Sequence, residues 1–153
     1  TTILDAFKSA VSDSNNIRFS KNADNLLGSD IIVVAVGEEP YTEGVGDRDS
    51  LFLSKKDKQL LEKVKRAKIP YVVVLISGRP MIINEELDNS HAFVAAWLPG
   101  TEAEGISDVL FGDFDFTGKL SMTWPRSMKQ IPINFGDNDY DPLFEFGFGL
   151  SYK

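Results

Sequence analysis

The sequence predicts an α/β fold, a three-layer doubly wound sandwich around a mostly parallel sheet. Three observations carry that prediction. The runs Ile31 to Val36, Tyr71 to Ile76 and Ala92 to Trp97 are continuously apolar, as strands covered on both faces are. Segments with helical spacing of apolar residues lie between and around them. Each run also stops at a turn signal, at Gly37, at Ser77-Gly78-Arg79-Pro80 and at Pro99-Gly100.

Taken in order, Ile3, Leu4, Phe7 and Val11 repeat at helical spacing behind Thr1 and Thr2, which supply capping hydroxyls, so residues 2–12 are expected to form a helix. A short strand is expected near Ile17 to Phe19. Asn22 to Leu27 reads as a brief helix or turn, broken by Gly28-Ser29-Asp30 before the first strong strand, Ile31 to Val36. Ser54 caps a helix over 55–68, with Leu60, Leu61 and Val64 on one face and lysines on the other; Pro70 ends that unit. The second and third strands follow. Thr101 is expected to cap a helix whose Ala103, Ile106, Val109, Leu110 and Phe111 face inward. Glu102 and Glu104 lie in its first turn, where the dipole favours negative charge, and Gly112 marks its end. Leu120 to Trp124 reads as one more strand before Pro125, placed as an antiparallel edge, and a tail rich in Pro, Gly and aromatic residues completes the chain. Short strands alternating with helices give right-handed crossovers and a flavodoxin-like sandwich.

At 153 residues the chain has the length of one domain, 1–153. Its 42% apolar and 25% charged content is that of a folded globular domain. A formal charge of −7 argues against nucleic acid and anionic membrane as partners, since both demand clustered Lys and Arg. The absence of cysteine excludes disulfides, thiolate metal sites and a Cys nucleophile, and no cofactor is expected. The chain opens inside a helical pattern without Met, which reads as a piece of something longer.

Ligands of open α/β sheets collect outside the carboxyl ends of the strands. The loop leaving Val36, Gly37-Glu38-Glu39-Pro40-Tyr41-Thr42-Glu43-Gly44-Val45-Gly46-Asp47-Arg48, puts three carboxylates there, and Glu43 is a candidate general acid beside Glu38 and Glu39. Tyr41 is a candidate surface for a sugar ring; Asp47 and Arg48 suit holding the loop. Arg79, in the turn after the second strand, is expected to be packed or ion-paired. No glycine-rich phosphate loop occurs. Asp137-Asn138-Asp139-Tyr140-Asp141 imitates the start of a calcium loop, but Pro142 stands at the turn glycine and Phe148 at the bidentate Glu. His91 has no ligand partner at a metal spacing. Trp97 and Trp124 are read as core, and Phe144, Phe146 and Phe148 as a tail laid along the surface, exposed enough to favour self-association.

Four ordered segments resemble the C-terminal α/β-sandwich domain of glycoside hydrolase family 3, the β-glucosidase and exo-glucanase family. They are Val36 to Glu43 with Gly46-Asp47; Val74-Leu75-Ile76-Ser77-Gly78-Arg79-Pro80; Ala95 to Glu102 continuing through Val109 to Asp113; and Gly118-Lys119-Leu120 to Trp124-Pro125. The tail, from Asn134-Phe135-Gly136-Asp137 to Phe146-Gly147-Phe148-Gly149-Leu150-Ser151-Tyr152, extends the match to nearly the whole chain. The resemblance implies a retaining, exo-acting β-glycosidase in which an N-terminal (β/α)8 barrel supplies an aspartate nucleophile and this domain the acid/base. The family's acid/base matches Glu43, ahead of Gly46-Asp47-Arg48 and Leu51-Phe52-Leu53, with Glu38 the alternative. A TIM barrel alone needs ~250 residues, so the barrel is absent here and the chain is expected to be inactive by itself. The partners implied are that barrel and a β-glucoside or oligosaccharide, and a periplasmic or extracellular setting is favoured over a cytoplasmic one. A competing reading keeps the fold as a non-catalytic carbohydrate-binding or interaction module. A phosphate-binding flavodoxin-like or receiver-like domain ranks third, because a chain of this charge without a phosphate nest repels such ligands.

Overall fold

The computed structural model describes residues 1–152. Its centre is a parallel sheet of three strands in the order β1-β2-β3: β1 Ile32–Gly37, β2 Tyr71–Ile76 and β3 Ala92–Trp97. The register runs from Ile32 opposite Tyr71 to Gly37 opposite Ile76, so the carboxyl ends of β1 and β2 are level. Successive side chains point to opposite faces. Val34, Val36, Val73 and Leu75 share one core with Leu61 and Val64 of helix α2 (Lys55–Arg66). On the other face Val74 packs with Phe7 of α1 (Ile3–Ala10) and Ile106 of α4 (Glu104–Phe111). Three layers result, as predicted. Val73, Val74 and Leu75 are fully enclosed, and burying such a side chain contributes about 1.5–3 kcal/mol.

The caps behave as their chemistry dictates. Thr2 and Asp5 form a reciprocal capping box on α1, and Ser54 accepts from the Asp57 amide at the start of α2. Gly112, at φ 85°, closes α4 in the left-handed conformation.

Four expectations need correction. Residues 17–19 form no strand: Arg18 donates to the Leu27 carbonyl and the Ser29 hydroxyl, folding the segment onto its own loop, and Phe19 is exposed. Leu120 to Trp124 does not extend the sheet; its antiparallel character is confined to a bridge between Trp124 and Phe144. Thr101 does not cap α4, which begins behind Ala103 without a side-chain cap, while the Thr101 hydroxyl lies 3.1 Å from a Glu102 carboxylate oxygen. A helix α3, Asn84–Asn89, not anticipated from the sequence, carries the chain from β2 to β3. It faces α2 through a Lys58–Glu86 ion pair of 3.4 Å, so α2 and α3 cover the same side of the sheet.

The tail is a strap. Trp124 is buried, its indole N–H donating to the Met81 carbonyl at 2.7 Å, and Trp97 packs on it at 5.7 Å between ring centroids. Backbone bonds between Leu120 and both Gly147 and Phe148 hold the returning limb, while Phe146 and Phe148 stay substantially exposed.

Candidate active-site edge

The level carboxyl ends of β1 and β2 decide where the site forms. Gly37 closes β1 so tightly against β2 that a Cβ there would sit 1.8 Å from the Ile76 carbonyl oxygen. The Glu38 amide then donates to that oxygen at 3.0 Å, which turns the acidic loop outward over the turn that follows β2.

The three carboxylates part company at this point. Glu39 is exposed. Glu38 has only 2% of its side chain exposed, and Oε1 accepts from Arg79 Nε at 3.0 Å and pairs with Nη2 at 2.9 Å. Arg48 approaches the same oxygen at 3.8 Å, and Oε2 is buried with no hydrogen-bond partner among the described residues. A buried carboxylate gripped by a guanidinium fork is a structural lock. Glu38 is the principal cause of the upward displacement of the Arg79 pKa, outweighing the opposing effect of burial.

Glu43 stands in the opposite situation. It lies in a tight turn built from the bonds Gly46 N–H to Thr42 O and Val45 N–H to Glu43 O, both 2.9 Å, with Gly44 at φ 75° supplying the left-handed step. Its side chain is exposed and makes no hydrogen bond or ion pair to the described residues. Tyr41, Thr42, Glu43, Gly44, Gly46, Asp47 and Arg79 line an open depression of about 430 Å³. A carboxyl group free to meet a ligand therefore stands beside one whose Oε1 is engaged in holding the loop.

Tyr41 is packed as well as exposed. The Arg79 guanidinium lies 4.5 Å from its ring centroid, and a Cβ on Gly46 or Gly78 would meet the side chain at 2.2 or 2.6 Å. Arg79 also donates to the Gly46 carbonyl at 2.6 Å. From the sequence Arg79 was expected to be packed or ion-paired, with no partner named; the signal for the partner was the parallel register, which sets Glu38 beside Ser77 and two residues from Arg79.

The other residues singled out lie elsewhere. The His91 Nδ1 accepts from the Tyr71 amide at 3.3 Å, and its ring meets Tyr71 edge-on. The Asp137 carboxylate accepts from the Asn134 amide within the tail. Among the described residues no group of three or more His, Asp or Glu is arranged to hold a metal, and no helix is long and apolar enough to cross a membrane.

Residues 1–152 match the glycosyl hydrolase family 3 C-terminal domain. Among curated proteins the chain is 33% identical to a beta-xylosidase of Formosa agariphila, covering 99% of this chain and 25% of that protein. It is 31% identical to a periplasmic beta-glucosidase of Salmonella typhimurium over 81% of this chain and 19% of that protein. Among solved structures, the exo-1,3/1,4-beta-glucanase of a Pseudoalteromonas species superposes with a TM-score of 0.91 at 44% identity, covering all of this chain and 20% of that one. A beta-glucosidase from Listeria innocua in complex with glucose gives 0.73 at 29% identity, covering 83% of this chain and 21% of that one. The chain thus spans a quarter or less of the length of these relatives.

Proposed function

The chain belongs to the glycosyl hydrolase family 3 C-terminal domain family, and from that membership we propose that it is the acid/base domain of a larger β-glycosidase. That enzyme is of β-glucosidase type, retaining and exo-acting, and the chain alone is inactive. Its partner is an N-terminal (β/α)8 barrel of the same parent protein that carries the nucleophile. A retaining glycosidase needs two carboxyl groups ~5–5.5 Å apart, one attacking the anomeric carbon, the other protonating the leaving oxygen and then activating water. Glu43 takes the second role. The observation that carries the choice is the contrast along one loop: Glu43 is exposed on an open depression, whereas Glu38 is buried and bound to Arg79.

In the assembled protein the depression is closed by the barrel. Tyr41 lines the same depression and is partly exposed there, a surface for the sugar or its leaving group. The substrate is a β-glucoside or an oligosaccharide. A periplasmic or extracellular setting is supported by the relative named as periplasmic.

The test is aryl β-glucoside hydrolysis by this chain alone and by the full-length parent, wild type and Glu43→Ala. The isolated chain is expected to be inactive. The full-length mutant should lose about 10²–10⁴-fold in kcat, the usual worth of a general acid. Activity of the isolated chain, or an unimpaired Glu43→Ala parent, would contradict the proposal; the latter with an impaired Glu38→Ala parent would move the role to Glu38.

A further inference from the structure

We propose that Arg79 is a positioning residue for the acid/base. It clamps both limbs of the Glu43 turn and so sets where that carboxyl group meets the leaving oxygen. The proposal rests on the reading of Glu43 given above and adds to it a second residue, from a different strand end.

Four contacts made by one guanidinium carry the argument. On the limb leaving β1, Arg79 pairs with Glu38 at 2.9 Å through Nη2 and 3.0 Å through Nε. On the limb returning from the turn, Nη2 donates to the Gly46 carbonyl at 2.6 Å. Between the limbs the guanidinium plane covers Tyr41, 4.5 Å from the ring centroid. Tyr41 and Gly46 are the residues that flank Glu43 in the chain, two before it and three after. Glu43 therefore rides on a turn whose two feet are held by the same side chain. The turn's own bonds hold its shape but do not attach it to the sheet; Arg79, from the end of β2, does.

The chemistry makes this geometry consequential. A general acid must lie within hydrogen-bond reach of the leaving oxygen, and a roughly 1 Å misplacement of a catalytic group costs about 10²-fold. Lysine cannot replace the clamp, because an ammonium lacks the planar fork that serves Glu38 and Gly46 together and the flat face that lies on Tyr41. Gly46 offers an independent route to the same displacement. A Cβ there would meet Tyr41 Cδ2 at 2.2 Å, so Gly46→Ala shifts the ring and the turn without altering any charge.

A positioning role separates from a merely structural one by its dependence on the leaving group. In the step that forms the glycosyl-enzyme, which kcat/KM reports, protonation matters for an alkyl or sugar leaving group and hardly at all for dinitrophenolate, whereas a loss of folded enzyme lowers both values alike. In the full-length parent, kcat/KM of Arg79→Lys and Gly46→Ala is to be measured on cellobiose and on dinitrophenyl β-glucoside, with Glu43→Ala in parallel. The expected result is a kcat/KM on cellobiose lower by about 10²-fold, the cost of a misplaced acid, with kcat/KM on the dinitrophenyl glucoside little changed. Equal losses on both substrates in either variant, or none in both, would overturn the clamp. If Glu43→Ala itself shows no leaving-group dependence, the acid/base reading fails and the clamp with it. If Glu43→Ala shows the dependence and the other two variants do not, only the clamp fails.

Discussion

Glu38 and Glu43 are five positions apart on one loop and their environments are opposed. Glu38 is a buried carboxylate whose removal strands a guanidinium that is itself three-quarters covered; Glu43 is a solvent-facing turn residue. Breaking a buried pair by removing one partner costs about 3–5 kcal/mol, and an exposed turn substitution stays within about 0.5 kcal/mol. With Arg79 25% exposed, Glu38→Gln is expected near the low end, about 3 kcal/mol, by urea unfolding, and Glu43→Gln near zero. Equal stabilities for the two variants would contradict the assignment of one as lock and the other as free acid. The sequence alone does not make this distinction. Both residues are Glu in a polar loop, and what separates them is a partner 41 residues away in the chain, which becomes visible once β1 and β2 are set in register. The resemblance to the family pointed to Glu43 on motif position.

At the scale of elements, the strands were legible because burial on both faces leaves an unbroken apolar run, and β2 and β3 begin and end where those runs do. Helix α3 was not, because Asn84–Asn89 is short and polar and has Ile83 at its N-cap position, without a capping side chain. Its placement comes from neighbours: Ile83 enters the core, Glu86 pairs with Lys58, and the Tyr71 hydroxyl at the start of β2 donates to the Asn89 carbonyl at 2.8 Å. That tyrosine gives a pH test of the β2–α3 junction. Burial, and secondarily the charge of Glu62, raise the Tyr71 phenol above its ordinary value. A group whose folded pKa is raised contributes stability in full below the unfolded value, near pH 10, and loses it as pH rises through the folded value. Stability is therefore expected to fall on the alkaline side, and Tyr71→Phe should flatten that limb in thermal unfolding followed from pH 8 to 11. A limb unchanged by the substitution would contradict the junction's role.

For the whole molecule, the decisive property is that its candidate site is an edge. The depression beside Glu43 is open, and the chain spans a quarter or less of the relatives it matches; under the proposed function its chemistry is shared with a second domain. Fold class was readable from strand runs and turn signals; the expectation of a half-site came from the resemblance to the family, since a solvated acidic loop by itself announces no partner. The extra edge strand at residues 120–124 failed for a reason at this scale too. That segment is consumed in a strap that seats Trp124 under Met81 and pairs with its own returning limb. The central claim, that Glu43 is the acid/base and the nucleophile lies on the other domain, is tested most directly by azide rescue of full-length Glu43→Ala. With the nucleophile intact a glycosyl-enzyme still forms from an activated glucoside, and azide, needing no general base, attacks it from the face opposite the nucleophile. The expected result is restored turnover with β-glucosyl azide as product. Absence of rescue, or the α-azide that follows from losing the nucleophile instead, would contradict it.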